Sequence, residues 1–346
     1  MTVTEGAGPG TPGPTDGGAR RQVVDRDLLI VGAGPVGIYA SYYAGFRGLT
    51  TALVDSLPEP GGQITAMYPE KAIFDVAGFP SIKGRDLVDG LVEQAAQFDP
   101  TYLLGQEAQD LARPGDGVLE VRTDAGTAIR ARAVIVSGGI GTFTPRPLPA
   151  AADWVGRGLH FFVPRLAAHT GQDVVIVGGG DSACDWVLSL EPIARSITLV
   201  HRRAKFRAHE HTVELVRRSS AEVITDAQVS KVLGGDTVEA VEITLADGST
   251  ITRPAQAVIA ALGFVANLGP LRTWGVEIVG HRYITVDTTM ATSAPGVFGA
   301  GDITDYPGKV RLLSVGFGEA AIAVNNAAVL INPDASLFPG HSSNLP

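Results

Sequence analysis

The sequence predicts an α/β protein built from two similar three-layer units, each a parallel sheet with a β-meander laid across it. Three observations carry this reading. A glycine-rich turn between an apolar strand and a helix occurs twice with the same internal spacing. Each copy is followed by an alternating hairpin and then by a continuous apolar run, the pattern of a strand buried in a parallel sheet. Near the C-terminus a third glycine turn opens a long helix of small residues.

The chain of 346 residues suits two domains of ordinary size, and at 45% hydrophobic it can fill their cores. Residues 1–24 stand apart: rich in Gly, Pro and Thr, without a long apolar stretch, and with Arg20 and Arg21 at the wrong end for a signal peptide, they read as a disordered tail. No run approaches the roughly 20 apolar residues of a membrane span, so no membrane partner is expected. The single cysteine, Cys184, excludes an intrachain disulfide, a dithiol redox pair and a cysteine-ligated cluster. It reads as a small buried hydrophobe. A net charge of −9 argues against nonspecific nucleic-acid binding. Without an export signal or disulfide, a cytoplasmic location is expected.

In chain order, the strand Leu28-Leu29-Ile30-Val31 leads into Gly32-Ala33-Gly34-Pro35-Val36-Gly37. A helix follows with Ile38, Tyr42 and Phe46 at helical spacing, then the strand Thr51 to Val54, closed by Asp55. A hairpin over 119–126 precedes the apolar strand 133–136. Pro145, Pro147 and Pro149 mark a crossing into the second unit. There Val174 to Val177 leads into Gly178-Gly179-Gly180-Asp181-Ser182-Ala183, a helix carrying Val187 and Leu190, and the strand Ile197 to Val200. His201 follows Gly178 at the same interval as Asp55 follows Gly32. The hairpin over 241–248 and the strand from Ala257 repeat the plan. Asn267-Leu268-Gly269-Pro270 marks the return. Gly296 to Asp302 and a helix from about Gly316 to Leu330 then need a sheet to join. The economical reading is that they complete the first unit, giving one domain over 25–147 and 265–346 with an extension from about 335, and an inserted domain over 148–264.

The two glycine turns predict Rossmann-like nucleotide-binding domains. Such turns bring backbone close to a pyrophosphate, which then sits at a helix N-terminus where free N–H groups and the macrodipole favour negative charge. Asp55 suits an adenosine ribose. His201-Arg202-Arg203 followed by Arg207 reads either as a solvated basic face or as a site for a 2′-phosphate, which guanidinium groups bind in bidentate fashion. Register with Asp55 favours the second, hence NADPH over NADH. The first site could then hold a flavin, with Gly61-Gly62-Gln63 addressing its pyrimidine end and Asp302 a ribityl hydroxyl.

From Asp27 onward the chain resembles the low-molecular-weight thioredoxin reductases, on Gly32 to Gly37, Gly61-Gly62-Gln63, Gly178 to Ala183, His201-Arg202-Arg203 and Phe298 to Asp302. Their Cys-x-x-Cys pair is missing: the corresponding stretch reads His160-Phe161-Phe162-Val163-Pro164-Arg165. Three further features resemble the dithiol-free branch, the thioredoxin-reductase-like ferredoxin–NADP⁺ reductases. They are Tyr68-Pro69-Glu70-Lys71 with Phe74 to Pro80, the run Arg202 to His211, and the tail Gly340-His341-Ser342-Ser343.

The resemblance implies the FAD/NAD(P)-binding flavoprotein fold, a homodimer, and an enzyme moving electrons between NADPH and ferredoxin or flavodoxin through FAD. It implies that Tyr68 and His341 cover the two faces of the isoalloxazine, with Ser342 or Ser343 near N5. It also places Gly32, Gly34, Pro35, Gly37, Asp55, Gly62, Gln63, Ala108, Phe143 and Asp302 at FAD. Gly178, Gly180, Asp181, Ser182, His201, Arg202, Arg203 and Arg207 fall at NADPH. Asp55 departs from the more usual Glu by one methylene. No acid–base residue and no metal are implied, since His209 and His211 at i, i+2 do not share a helical face. Two other readings stay open: an NADPH-dependent reductase of quinones or other small acceptors, and a flavin redox sensor that does not turn over.

Overall fold

The computed structural model describes residues 22–139 and 141–340. Its first sheet is five-stranded and wholly parallel. Val297–Gly299, Ala133–Val136, Leu28–Val31, Thr51–Asp55 and Thr101–Leu104 lie in that spatial order. The central strand is apolar at successive positions because both its faces are covered. Leu28 and Ile30 face a helical layer of α1 (Pro35–Phe46), α3 (Gly84–Ala96) and α6 (Leu313–Ile331). Leu29 faces the other way, onto the meander Ala108–Gly115, Val118–Thr123 and Ala128–Ala131. The period of two thus divides one strand between two cores.

The second sheet repeats the order with Leu159–His160, Ala257–Ala261, Asp173–Gly178, Ser196–Val200 and Glu222–Ile224, again all parallel. Helices α4 (Asp181–Leu190) and α5 (Glu210–Arg218) cover one face. The meander Gln228–Gly234, Val238–Thr244 and Thr250–Pro254 covers the other. Between the sheets the chain crosses twice, and the crossings pair with each other. Thr142–Pro145 and Phe264–Asn267 form an antiparallel ribbon in which Phe143 lies opposite Ala266.

Three local expectations are corrected. The stretch read as tail contributes Val23 and Val24 to the strand Val23–Asp25, which pairs with Ala128–Ala131 at the edge of the meander sheet. Composition missed this because a strand of three residues is too short to show a period. Helix α6 runs Leu313–Ile331, a few residues longer than its small-residue core suggested, since no side-chain cap marks its start. Finally, α6 is long and apolar enough by length and composition to cross a membrane, contrary to the expectation that no segment is. Its buried face, Ala320, Ala323, Val324 and Ala327, packs into the helical core of the first sheet beside α1.

Candidate functional site

The first glycine turn is held by close backbone approach. Gly32 has φ +112°, and a Cβ there would come 2.7 Å from the carbonyl of Ser137 on the neighbouring strand's end. A Cβ on Gly37 would lie 1.9 Å from the Gly32 oxygen, so α1 starts pressed against the turn. Pro35 occupies the start of α1, where its missing N–H costs nothing, and no side chain caps the helix. At Gly34, the N-cap, a Cβ would meet nothing within 4 Å, so the helix end opens onto free space. Uncapped N–H groups, the positive end of the dipole and open space are the features that favour an anionic group at this position.

That space is a cavity of about 930 Å³. Asp55 reaches it from the end of its strand, with Oδ2 accepting the Ala33 N–H at 2.7 Å and Oδ1 the Leu57 N–H at 2.9 Å. Burial raises the pKa of this carboxyl, against both hydrogen bonds. The Gly61 N–H donates to the Ala33 oxygen at 2.8 Å, so the second glycine pair is sewn to the first turn. Gln63 then begins the short helix α2 (Gln63–Met67), with its amide nitrogen beside Gly139. Gly62, Ala108 and Asp302 also line the cavity.

Tyr68 ends α2 and lines the same cavity. Burial, with the Asp302 and Asp75 carboxylates, pushes its phenol up to about 12, so the hydroxyl keeps its proton. Its ring also packs against the helical cores of both sheets. Burial raises Asp302 as well, opposed by Lys309 and Arg311. The residue types, volume and open helix end fit a dinucleotide with a large apolar head. The cavity further takes in Ser137, Gly138, Arg311 and His209, none of them assigned a role from sequence. Ser137 and Gly138 had a signal, a strand ending in small residues; Arg311 and His209 arrive only through folding. Phe143 has its backbone in the crossing ribbon. His341, Ser342 and Ser343 lie outside the described residues.

The second turn has the same uncapped plan. Gly180 is the extended N-cap of α4, and a Cβ there would again meet nothing within 4 Å. A Cβ on Gly178 would lie 2.4 Å from the Ala261 oxygen, the counterpart of Gly32 against Ser137. Ser182 is exposed in the first turn of α4. Asp181 lies beside it, and its Oδ1 accepts the His209 N–H at 2.9 Å. The Arg207 N–H donates to the Gly179 oxygen at 2.7 Å, so the loop after His201 is fastened to the glycine turn at two points.

His201 itself is 8% exposed and faces inward rather than toward ligand space. Its ring lies against Gly179, where an added Cβ would come within 2.2 Å of it, and 5.0 Å from the Phe206 ring. Its Nε2 donates to the Lys205 oxygen at 3.2 Å. Arg202, Arg203 and Arg207 are exposed. Among the described residues none of these three is ion-paired. By contrast Arg122, Arg130, Arg195, Arg253 and Arg311 each have a carboxylate.

The two halves meet at the segment that carries Tyr68. Lys71 Nζ lies 2.5 Å from Asp185 Oδ2 on α4, and the Leu166 N–H donates to Glu70 Oε2 at 3.1 Å. Cys184, next to Asp185, is buried, and burial with the Asp185 and Asp181 charges pushes its thiol up to about 11. Such a thiol is not a nucleophile near neutrality. No group of three or more His, Cys, Asp or Glu side chains arranged to hold a metal occurs among the described residues.

Comparison with known proteins agrees with this architecture. A family described as pyridine nucleotide-disulphide oxidoreductase matches residues 26–327. A ferredoxin–NADP reductase of Nocardioides sp. is 62% identical over 333 residues, covering 95% of this chain and 99% of that relative. One from Saccharopolyspora erythraea is 61% identical, covering 92% and 97%. Among solved structures, thioredoxin reductase of T. acidophilum superposes with a TM-score of 0.75 at 25% identity, covering 88% of this chain and 98% of that one. With two uncapped dinucleotide turns, no dithiol and this degree of identity, the chain belongs to the pyridine nucleotide-disulphide oxidoreductases, in the branch of its ferredoxin–NADP reductase relatives.

Proposed function

We propose that the protein is a ferredoxin–NADP⁺ reductase that holds FAD on the first turn and binds NADPH on the second. The observation that carries this is the difference between the two strand ends. Asp55 offers carboxylate acceptors to a ribose, whereas Arg202, Arg203 and Arg207 are exposed cations without carboxylate partners among the described residues, suited to a 2′-phosphate. When bound, FAD supplies the exchange between two-electron and one-electron chemistry. The chain's residues hold and shield it. Uncapped N–H groups of α1 receive the pyrophosphate, Asp55 the ribose, Asp302 the ribityl chain and Gln63 the pyrimidine edge. Tyr68, protonated, covers one face. Phe143 stands at the crossing; His341, Ser342 and Ser343, which the resemblance assigns to the other face and to N5, belong to this reading through the sequence alone.

On the second site, Gly178 to Ser182 receive the NADPH pyrophosphate, and His201 supports the turn from below. The chain works as two domains, 25–147 with 265–346 and 148–264, in a homodimer in the cytoplasm. The absence of a second cysteine removes the disulfide route, and the identity to relatives named ferredoxin–NADP reductase supports a one-electron carrier, ferredoxin or flavodoxin, as partner.

A purified sample should be yellow, with a flavin spectrum that NADPH bleaches and a cytochrome c reduction that depends on added ferredoxin. A colourless protein, or turnover independent of ferredoxin, refutes the assignment. R202A/R203A should raise KM for NADPH at least tenfold, consistent with about 1.5–3 kcal/mol for hydrogen bonds to charged groups, while leaving KM for NADH nearly unchanged. Equal effects on both nucleotides refute the 2′-phosphate role.

A further inference from the structure

Behind the cavity wall lies a charged cluster that no step so far uses. Lys309 and Glu319 form an ion pair of 2.5 Å, with side chains only 2% and 3% exposed. Glu319 stands on α6, Lys309 in the loop leading to that helix, and both reach back to one residue. Glu319 Oε2 accepts the Gly301 N–H at 2.7 Å, and Lys309 Nζ donates to the Gly301 oxygen at 2.9 Å. Tyr306 donates its hydroxyl to Glu319 Oε1 at 2.5 Å, and Thr304 donates to the Gly301 oxygen at 2.8 Å.

A buried ion pair is weak evidence of stabilisation, because well-packed apolar residues often replace one without loss. Its geometry points to a different use. Both backbone polar groups of Gly301 are engaged by the pair, and Gly301 sits at φ +83°, a left-handed conformation that needs outside support to be unique. The next residue is Asp302, half-buried on the cavity wall. We propose that Glu319 and Lys309 are positioning residues, which hold Gly301 so that the Asp302 carboxylate meets the ribityl hydroxyls of FAD. The inference rests on the FAD reading above and assigns the recognition of that part of the cofactor to a buried pair outside the cavity. Recognition of the adenosine half runs instead through Asp55 and the α1 turn, which Gly301 meets at the Val36 side chain and not through the hydrogen bonds of the pair.

The test uses apoprotein of the full chain titrated with FAD and, separately, with ADP. The primary variant is K309M/E319Q, which removes both charges and leaves neither buried alone. FAD affinity should fall at least tenfold while ADP affinity stays within twofold of the parent. D302A should produce a similar FAD loss. Adding K309M/E319Q to D302A should then cost less than a further threefold, because the pair acts through the residue already removed. Equal losses for FAD and ADP, additive losses with D302A, or FAD affinity within twofold of the parent would each overturn the proposal. A single E319Q protein gives a second series if the double variant does not fold. A parent chain that binds ADP but not FAD overturns the cofactor reading itself, and the inference with it.

Discussion

At the residue scale, one histidine shows how far a register argument reaches. Equal spacing correctly placed His201 at the end of the strand after the second turn, as Asp55 ends the strand after the first. Spacing cannot say which way a side chain turns. Asp55 lines its cavity, whereas the His201 ring is wedged between Gly179 and Phe206. The glycine at 179 is therefore a steric requirement of the histidine. Gly179→Ala should destabilise the fold by about 1–3 kcal/mol, the usual cost of overpacking. His201→Ala in that background should recover most of the loss, read by denaturant unfolding. Equal stability of Gly179→Ala and the parent would show that the ring moves aside freely.

At the scale of elements, strands and glycine turns were legible because their signals are local: an apolar run, a tight turn, an amphipathic or small-residue helix. The loop over 201–209 was legible only as a basic cluster. Its fastening to the turn, through Arg207 N–H to Gly179 and His209 N–H to Asp181, joins residues that no short motif spans. This gives Asp181 two opposing effects. Its carboxylate orients the loop that carries the arginines, yet it places a negative charge in the first turn of α4, beside the position proposed for the NADPH pyrophosphate. Asp181→Asn keeps an acceptor and removes the charge. It should lower KM for NADPH about two- to fivefold, the equivalent of the 0.3–1 kcal/mol typical of a charge at a helix end. Asp181→Ala, which also frees the loop, should raise KM instead. Steady-state kinetics with both variants check the pair, and the same direction of change in both would dismiss the account.

At the scale of the whole molecule, the two sheets are joined by the ribbon of Thr142–Pro145 and Phe264–Asn267 and touch again at Glu70 and Lys71. The second contact involves the segment that brings Tyr68 to the cavity, so the halves and that ring are mechanically linked. Lys71 is 40% exposed and Asp185 25%, so the pair adds only about 0–1 kcal/mol of stability. Its effect lies in orientation. E70Q/K71M should leave the melting temperature within a few degrees, consistent with so small an energy, while broadening the distance distribution between spin labels placed on the two halves. An unchanged distribution would mean that other contacts set the orientation. The sequence by itself determined the two units, their glycine turns, the missing dithiol and the basic cluster, because each is written in neighbouring residues. Only the tertiary structure decided that His201 faces inward, that Arg311 and His209 reach the cavity, and that Lys309 and Glu319 close on Gly301. Those outcomes depend on packing between segments far apart in the chain, and periodicity and spacing carry no information about which distant surfaces will meet.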